Sequence, residues 1–218
     1  MTNYAELFWK NFWAEKGASV DNILRKNDWI YVPIPKNACT YTGQVLMANN
    51  WRSEPREQNL QKKRNFLIIL RDPIDRWVSG MTEYLHGLFC HSHSVDEIMN
   101  AFDSTVFRGL ILDNMTFDDH TELQTYYLAD IPLTESISYV YLDKNLTNKI
   151  NRLFKFYNVP FHNFEIEQKN ISTETVKRDL YLKLTEFVKK NKNYSFDYAI
   201  KHKFKEDYKL INSVKFYA

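Results

Sequence analysis

Twice in this chain a short apolar run breaks into a polar turn and then opens an amphipathic helix. That repeated strand-turn-helix pattern constrains the fold more than any other feature. The first copy reads Trp29-Ile30-Tyr31-Val32-Pro33-Ile34-Pro35-Lys36-Asn37-Ala38-Cys39-Thr40-Tyr41. Its β-branched and aromatic half predicts a buried strand over 29–34. Pro33 and Pro35 then end sheet hydrogen bonding and force a turn over 35–39. Thr40 opens a helix over 40–49 that carries Tyr41, Val45 and Leu46. In the second copy Phe66-Leu67-Ile68-Ile69-Leu70 predicts a strand, followed by Arg71-Asp72-Pro73-Ile74-Asp75-Arg76-Trp77-Val78-Ser79-Gly80. Asp72 suits an N-cap, Pro73 the first helical position and Asp75 the first turn, so a helix is expected over 73–88. Its buried stripe is Trp77, Val78, Met81 and Leu85.

A strand that ends in a tight turn and a helix N-terminus is a natural anion site. Orphan backbone N–H groups and the positive helix end converge there, and Lys36 adds a full charge. A phosphate loop of the Gly-x-x-x-x-Gly-Lys-Ser/Thr type is excluded, because no glycine lies between Gly17 and Gly43 and Lys36 opens the turn instead of closing it. The plainer reading of the first copy is an ordinary strand-to-helix connection. For Arg71 it is a salt bridge to Asp72 or Asp75.

The two motifs together resemble those of sulfotransferases that use 3′-phosphoadenosine 5′-phosphosulfate (PAPS). Ile34-Pro35-Lys36-Asn37-Ala38-Cys39-Thr40 is similar to the family's 5′-phosphosulfate loop, closest to the branch acting on carbohydrates. Arg71-Asp72-Pro73, with Ser79 eight residues after the arginine, is similar to its 3′-phosphate motif. The resemblance implies an α/β fold with a central parallel sheet flanked by helices, and ligand at the carboxyl ends of the strands. It implies that Pro35, Lys36, Asn37, Ala38, Cys39, Thr40 and Tyr41 hold the 5′-phosphosulfate while Arg71 and Ser79 hold the 3′-phosphate. A sulfuryl group would pass from PAPS to an acceptor hydroxyl or amine, with a carbohydrate as the expected acceptor and adenosine 3′,5′-bisphosphate as the product. Lys36 would stabilise the leaving phosphate. Many related loops have a glycine where this chain has Ala38 and Cys39, which narrows the loop unless its backbone stays in the α or β regions.

The proton acceptor is less clearly marked. Several sulfotransferase branches place a glutamate after the loop helix; Glu54 and Glu57 lie in that segment, and Glu57 sits nearer the distance from the lysine that those branches use. His120 is the rival. With Gln124 and the aromatic stretch Tyr126-Tyr127 it loosely resembles a His-then-Gln pattern of the carbohydrate branch, although Leu123 stands where that pattern has proline. Cys90-His91-Ser92-His93 lacks a second ligand pair at zinc spacing, so no metal is expected. Sulfuryl transfer does not require one in principle. Two other readings compete: a nucleotide or nucleoside kinase with a deviant phosphate loop, and a catalytically inactive nucleotide-binding protein.

The 218 residues suit one domain spanning 1–218. A net charge of +2 gives no support to nucleic-acid binding. Two cysteines are too few for a disulfide framework, which fits a reducing compartment. With no signal-peptide core and no apolar run of membrane-spanning length, a soluble cytoplasmic protein is expected. Elsewhere the pattern predicts an N-terminal helix over 2–16 and a polar, aperiodic segment over 50–65. A helix capped by Ser94 and Glu97 should run to about Phe102, and residues 103–118 should form a loop. A strand is expected over 138–142, then a helix bearing Leu146, Ile150, Leu153 and Phe154. In the tail, Val176, Leu180, Leu184 and Phe187 repeat at helical spacing, as do Phe196, Ile200, Phe204, Tyr208 and Ile211.

Overall fold

A computed structural model describes residues 22–56, 64–103, 115–131, 136–162, 175–191 and 195–217. The helix expected over 2–16 lies outside them, as does most of the loop expected over 103–118. The chain is α/β and separates into two compact units. A sheet unit comprises Ser19–Asp72, Gln124–Lys169 and Lys209–Ala218, and a helical unit comprises Met1–Ala18, Pro73–Leu123 and Asn170–Tyr208.

The sheet unit contains strands β1 (Asn22–Lys26), β2 (Trp29–Val32), β3 (Arg52–Pro55), β4 (Asn65–Leu70) and β5 (Ser136–Tyr141) in the order β3-β1-β2-β4-β5. The sheet is mixed, which corrects the expectation of a parallel one. Strands β2, β4 and β5 are parallel, whereas β1 runs antiparallel to both β2 and β3. The cause is local. Lys26 pairs with Trp29, so only Asn27 and Asp28 join β1 to β2, and a connection that short can make only an antiparallel hairpin. Asn27 accepts the required positive φ of 54°. Strand β3 falls within the segment expected to be polar loop. Its side chains carry no alternation to betray it, because it is an edge strand recruited by backbone pairing with β1. Pro55, at its end, is tolerated there for the same reason.

Strand β4 explains its own continuous apolar run. Phe66, Ile68 and Leu70 pack on one face of the sheet with Ile23, Ile30 and Val32, while Leu67 and Ile69 pack on the other with Leu24, Trp29 and Tyr31. Both faces are buried, so neither set can be polar. Helices α1 (Cys39–Ala48) and α4 (Leu146–Phe156) cover the second face with Leu46, Ile150, Leu153 and Phe154. A 3₁₀ turn, Thr125–Leu128, brings Tyr127 to the first face, joined by Leu210, Ile211, Val214 and Phe216 from the C-terminal segment. Tyr217 N–H donates to Tyr139 O at 2.8 Å, so the chain end lies along β5, the outer strand.

The helical unit packs α2 (Pro73–Phe89), α3 (Val95–Asp103), α5 (Thr175–Lys190) and α6 (Ser195–Lys203) with the first turn of α7 (Lys205–Ser213). Its core joins Trp77, Met81, Leu85 and Phe89 of α2 to Leu180, Leu184 and Phe187 of α5 and to Ile98 and Phe102 of α3. The cap on α3 is reciprocal, as the sequence pattern requires. Ser94 N–H donates to Glu97 Oε2 at 2.8 Å, and Glu97 N–H donates back to Ser94 Oγ at 3.3 Å. Val176, expected on the buried stripe of α5, lies in its first turn and is exposed. The tail helix breaks at Phe204, which is buried between α6 and α7. No helix among the described residues is long and apolar enough to cross a membrane.

Candidate functional site

In the sheet unit the first motif forms a tight, strained turn. Asn37 N–H donates to Ile34 O at 3.1 Å, closing a four-residue turn with Pro35 in its second position and Lys36 in its third. Lys36 has φ 66°, the left-handed conformation that a type II turn requires in its third position and that glycine normally supplies. Ala38 is left-handed as well, at φ 59° and ψ 26°. The backbone at Ala38 therefore leaves the α and β regions, the condition under which the absent glycine narrows the loop. Each such residue costs on the order of 1–2 kcal/mol, and the surrounding contacts must hold it there. Left-handed residues beside ordinary ones can turn neighbouring N–H groups toward one side, although here the Asn37 N–H is already used by Ile34 O.

The helix that follows is left open at its positive end. Ala38, the residue before α1, gives no side-chain cap, and no acid occupies the first turn. The first intrahelical bond is Thr42 N–H to Ala38 O at 2.9 Å. The amides of Ala38, Cys39 and Thr40 come before it and are the orphan donors of the helix start. Near the loop, Asn37 Oδ1, the Thr42 hydroxyl and the Tyr31 hydroxyl are buried without a hydrogen-bond partner among the described residues. Burial first, and the neighbouring Cys39 second, hold the Tyr31 phenol well above its usual pKa. The Thr42 side chain acts in the other direction, although the two hydroxyls do not meet in hydrogen-bond geometry.

The second motif reaches the same turn. Arg71 follows β4, and its Nη1 donates to Lys36 O at 3.1 Å. Between the two motifs lies the fully buried side chain of Gln124. Its Oε1 accepts from Asn37 Nδ2 at 2.7 Å and from Arg71 N–H at 3.0 Å, while its Nε2 donates to Arg71 O at 2.9 Å. Asn37 Nδ2 also donates to Ile69 O at 2.8 Å. Lys36, Asn37, Arg71 and Gln124 thus close one ring of hydrogen bonds. The sequence pattern contained Gln124 but gave it no role.

Of the glutamates weighed as a base, Glu57 lies outside the described residues. Glu54 sits on β3, where Arg25 Nη1 pairs with its carboxylate at 3.2 Å. The residue before Glu57 is firmly anchored: Arg56 Nε donates to Asp130 Oδ2 at 2.8 Å, and its Nη2 donates to Asp130 Oδ1 and to Tyr127 O.

The helical unit holds Ser79 and His120. Ser79 is half-buried on α2. His120 belongs to a loop that three residues of α2 pin in place. Arg76, almost wholly buried, donates to Glu122 O and to Asp119 O. Trp77 Nε1 donates to Met115 O at 2.7 Å. Gly80 meets the His120 peptide so closely that a Cβ there would lie 2.3 Å from His120 O. Buried Thr121 completes the loop, its Oγ1 accepting from the N–H groups of Phe117 and Asp118 at 2.6 and 3.0 Å. His120 Nδ1 lies 2.8 Å from Asp118 Oδ2 and 3.0 Å from Asp119 Oδ1. That contact puts the ring proton of a neutral imidazole on Nδ1 and leaves Nε2 as the acceptor. Asp118, Asp119 and His120 could in principle bring three ligand atoms to one metal ion. The same distances are those of direct hydrogen bonds, and Asp118 Oδ1 also accepts from Thr121 N–H at 3.0 Å. Cys90–His93 forms the turn between α2 and α3. Comparison of the chain with protein-family models, with curated proteins and with solved structures gives no match.

Proposed function

We propose that this protein is a PAPS-dependent sulfotransferase, with the turn between β2 and α1 taking the 5′-phosphosulfate and Arg71 the 3′-phosphate. One observation carries the reading: Arg71 touches the Lys36 turn, so two motifs that are distant in sequence form one positively charged cradle. An uncapped helix start without acids, and a turn held left-handed at Lys36 and Ala38, suit a dense anion better than an ordinary strand-to-helix connection would. Arg71 fits a phosphate through its planar fork, and Lys36 fits a compact developing charge.

In the reaction, the acceptor oxygen bonds to sulfur as the bond from sulfur to the bridging phosphate oxygen breaks. Adenosine 3′,5′-bisphosphate leaves, and the acceptor's proton passes to a base. Lys36 and the amides of Ala38, Cys39 and Thr40 would stabilise the charge on that leaving oxygen. Ser79 joins the proposal through the resemblance alone, as a second donor to the 3′-phosphate. Glu57 or His120 would take the proton. Asp118 and Asp119 leave His120 Nε2 able to accept a proton. A carbohydrate acceptor and a cytoplasmic setting remain part of the proposal.

Titration calorimetry with adenosine 3′,5′-bisphosphate, AMP, and ATP with Mg²⁺ tests the assignment. The bisphosphate is expected to bind well above AMP, and Arg71→Ala to erase most of that difference, about 1.5–3 kcal/mol for a lost charged hydrogen bond. Equal binding of the bisphosphate and AMP, or a preference for ATP with Mg²⁺, overturns it.

A further inference from the structure

We propose that Gln124 is a positioning residue that locks the Lys36 turn and Arg71 at the spacing of a ligand with two separate anionic groups. The inference rests on the functional reading above and assigns a duty to a residue that does not itself touch the ligand.

Four observations converge on it. Gln124 is fully buried, so its amide must be satisfied internally. Each polar atom of that amide is used for a specific link: Oε1 bridges Asn37 Nδ2 and Arg71 N–H, and Nε2 returns to Arg71 O. Pairing both backbone groups of Arg71 continues the ladder of β4 beyond its last residue, which fixes where the arginine departs from the sheet. Asn37, the other anchor, lies between the two left-handed residues Lys36 and Ala38, so holding its side chain holds the strained turn. The remaining link, Arg71 Nη1 to Lys36 O, closes the ring. Breaking it at Gln124 takes both backbone partners from half-buried Arg71 and leaves Asn37 Nδ2 with its bond to Ile69 O alone, so both elements loosen at once.

The expected consequence is a loss of selectivity for two anions over one. A 5′-monophosphate needs only the turn, whereas a 3′,5′-bisphosphate needs the turn and Arg71 at a set distance. Gln124→Leu should therefore lower the ratio of the AMP to the adenosine 3′,5′-bisphosphate dissociation constants at least tenfold. A residue that merely stabilises the fold would weaken both nucleotides together and leave the ratio unchanged. Asn37→Ser cuts only the arm to the turn. It should shift the ratio in the same direction and add little when combined with Gln124→Leu, because the two act as one unit. Should Gln124→Leu fail to fold, Gln124→Met and Asn37→Ser carry the same test. A wild-type preference for the bisphosphate that survives in the folded variants overturns the role of Gln124 while leaving the functional reading intact. A wild-type protein indifferent to the 3′-phosphate overturns that reading, and this inference with it.

Discussion

Lys36 and Ala38 carry the conformational cost of the turn. Lys36 occupies a position that favours glycine, at φ 66°, while keeping an ammonium that glycine could not supply. If that ammonium acts on the leaving oxygen, Lys36→Ala should lower kcat far more than it weakens adenosine 3′,5′-bisphosphate binding. Lys36→Arg should restore little of it, since a broad planar cation does not replace a compact one. Comparing kcat with product affinity checks this, and near-normal turnover in either variant reduces the lysine to a positioning group. Ala38 offers a test of the backbone itself. Its small side chain tolerates φ 59°, but a β-branched one does not. Ala38→Val should cost about 1–3 kcal/mol in chemical unfolding. An unchanged midpoint would show that the turn is not held where it is described.

At the scale of the element, α2 does two jobs with two faces. Trp77, Met81 and Leu85 fill the helical core, as their spacing predicts. Arg76, Trp77 and Gly80 fall on adjoining positions of the helix and hold the loop around His120 by its backbone. Nothing in the sequence marked Arg76 as more than a surface cation. Only the surrounding carbonyls explain an arginine with 1% exposure. Gly80 is the more testable member. Alanine there gains about 1 kcal/mol of helix propensity but drives a methyl into the His120 carbonyl, an overpacking cost of about 1–3 kcal/mol. Because backbone rather than a flexible side chain meets the methyl, Gly80→Ala should destabilise the protein and shift the His120 imidazole resonances. Stabilisation with unmoved resonances would mean that helix and loop are farther apart than described.

Across the whole molecule, the response to acid follows from paired carboxylates. The Arg56 guanidinium, by hydrogen bond first, holds Asp130 below its ordinary pKa. A carboxyl depressed in the folded state contributes stability above its unfolded pKa of about 4, and that contribution is lost as pH falls through the lower folded value. The melting temperature should therefore decline below about pH 4, and Asp130→Asn should flatten the decline. Parallel declines in both proteins would exclude the pair as a contributor. Much of this molecule was legible in its sequence. Strands β2, β4 and β5, the helices after them and the Ser94 cap all follow from short-range rules. Apolar runs, proline positions and capping residues act over a few residues, whatever the rest of the chain does. The proline-bearing turn after β2 and the place of Arg71 at the end of β4 could be read in the same way, each from its own neighbours. Tertiary structure decided what depends on a distant partner. Strand β3 exists because β1 offers it backbone hydrogen bonds, and the sheet is mixed because Asn27 permits a two-residue turn. Ala38 is left-handed because the loop around it is held, against its own preference. Gln124, 53 residues from Arg71, acquires its place only when the folded chain buries its amide between the Arg71 backbone and the Asn37 side chain, which no local pattern could bring together.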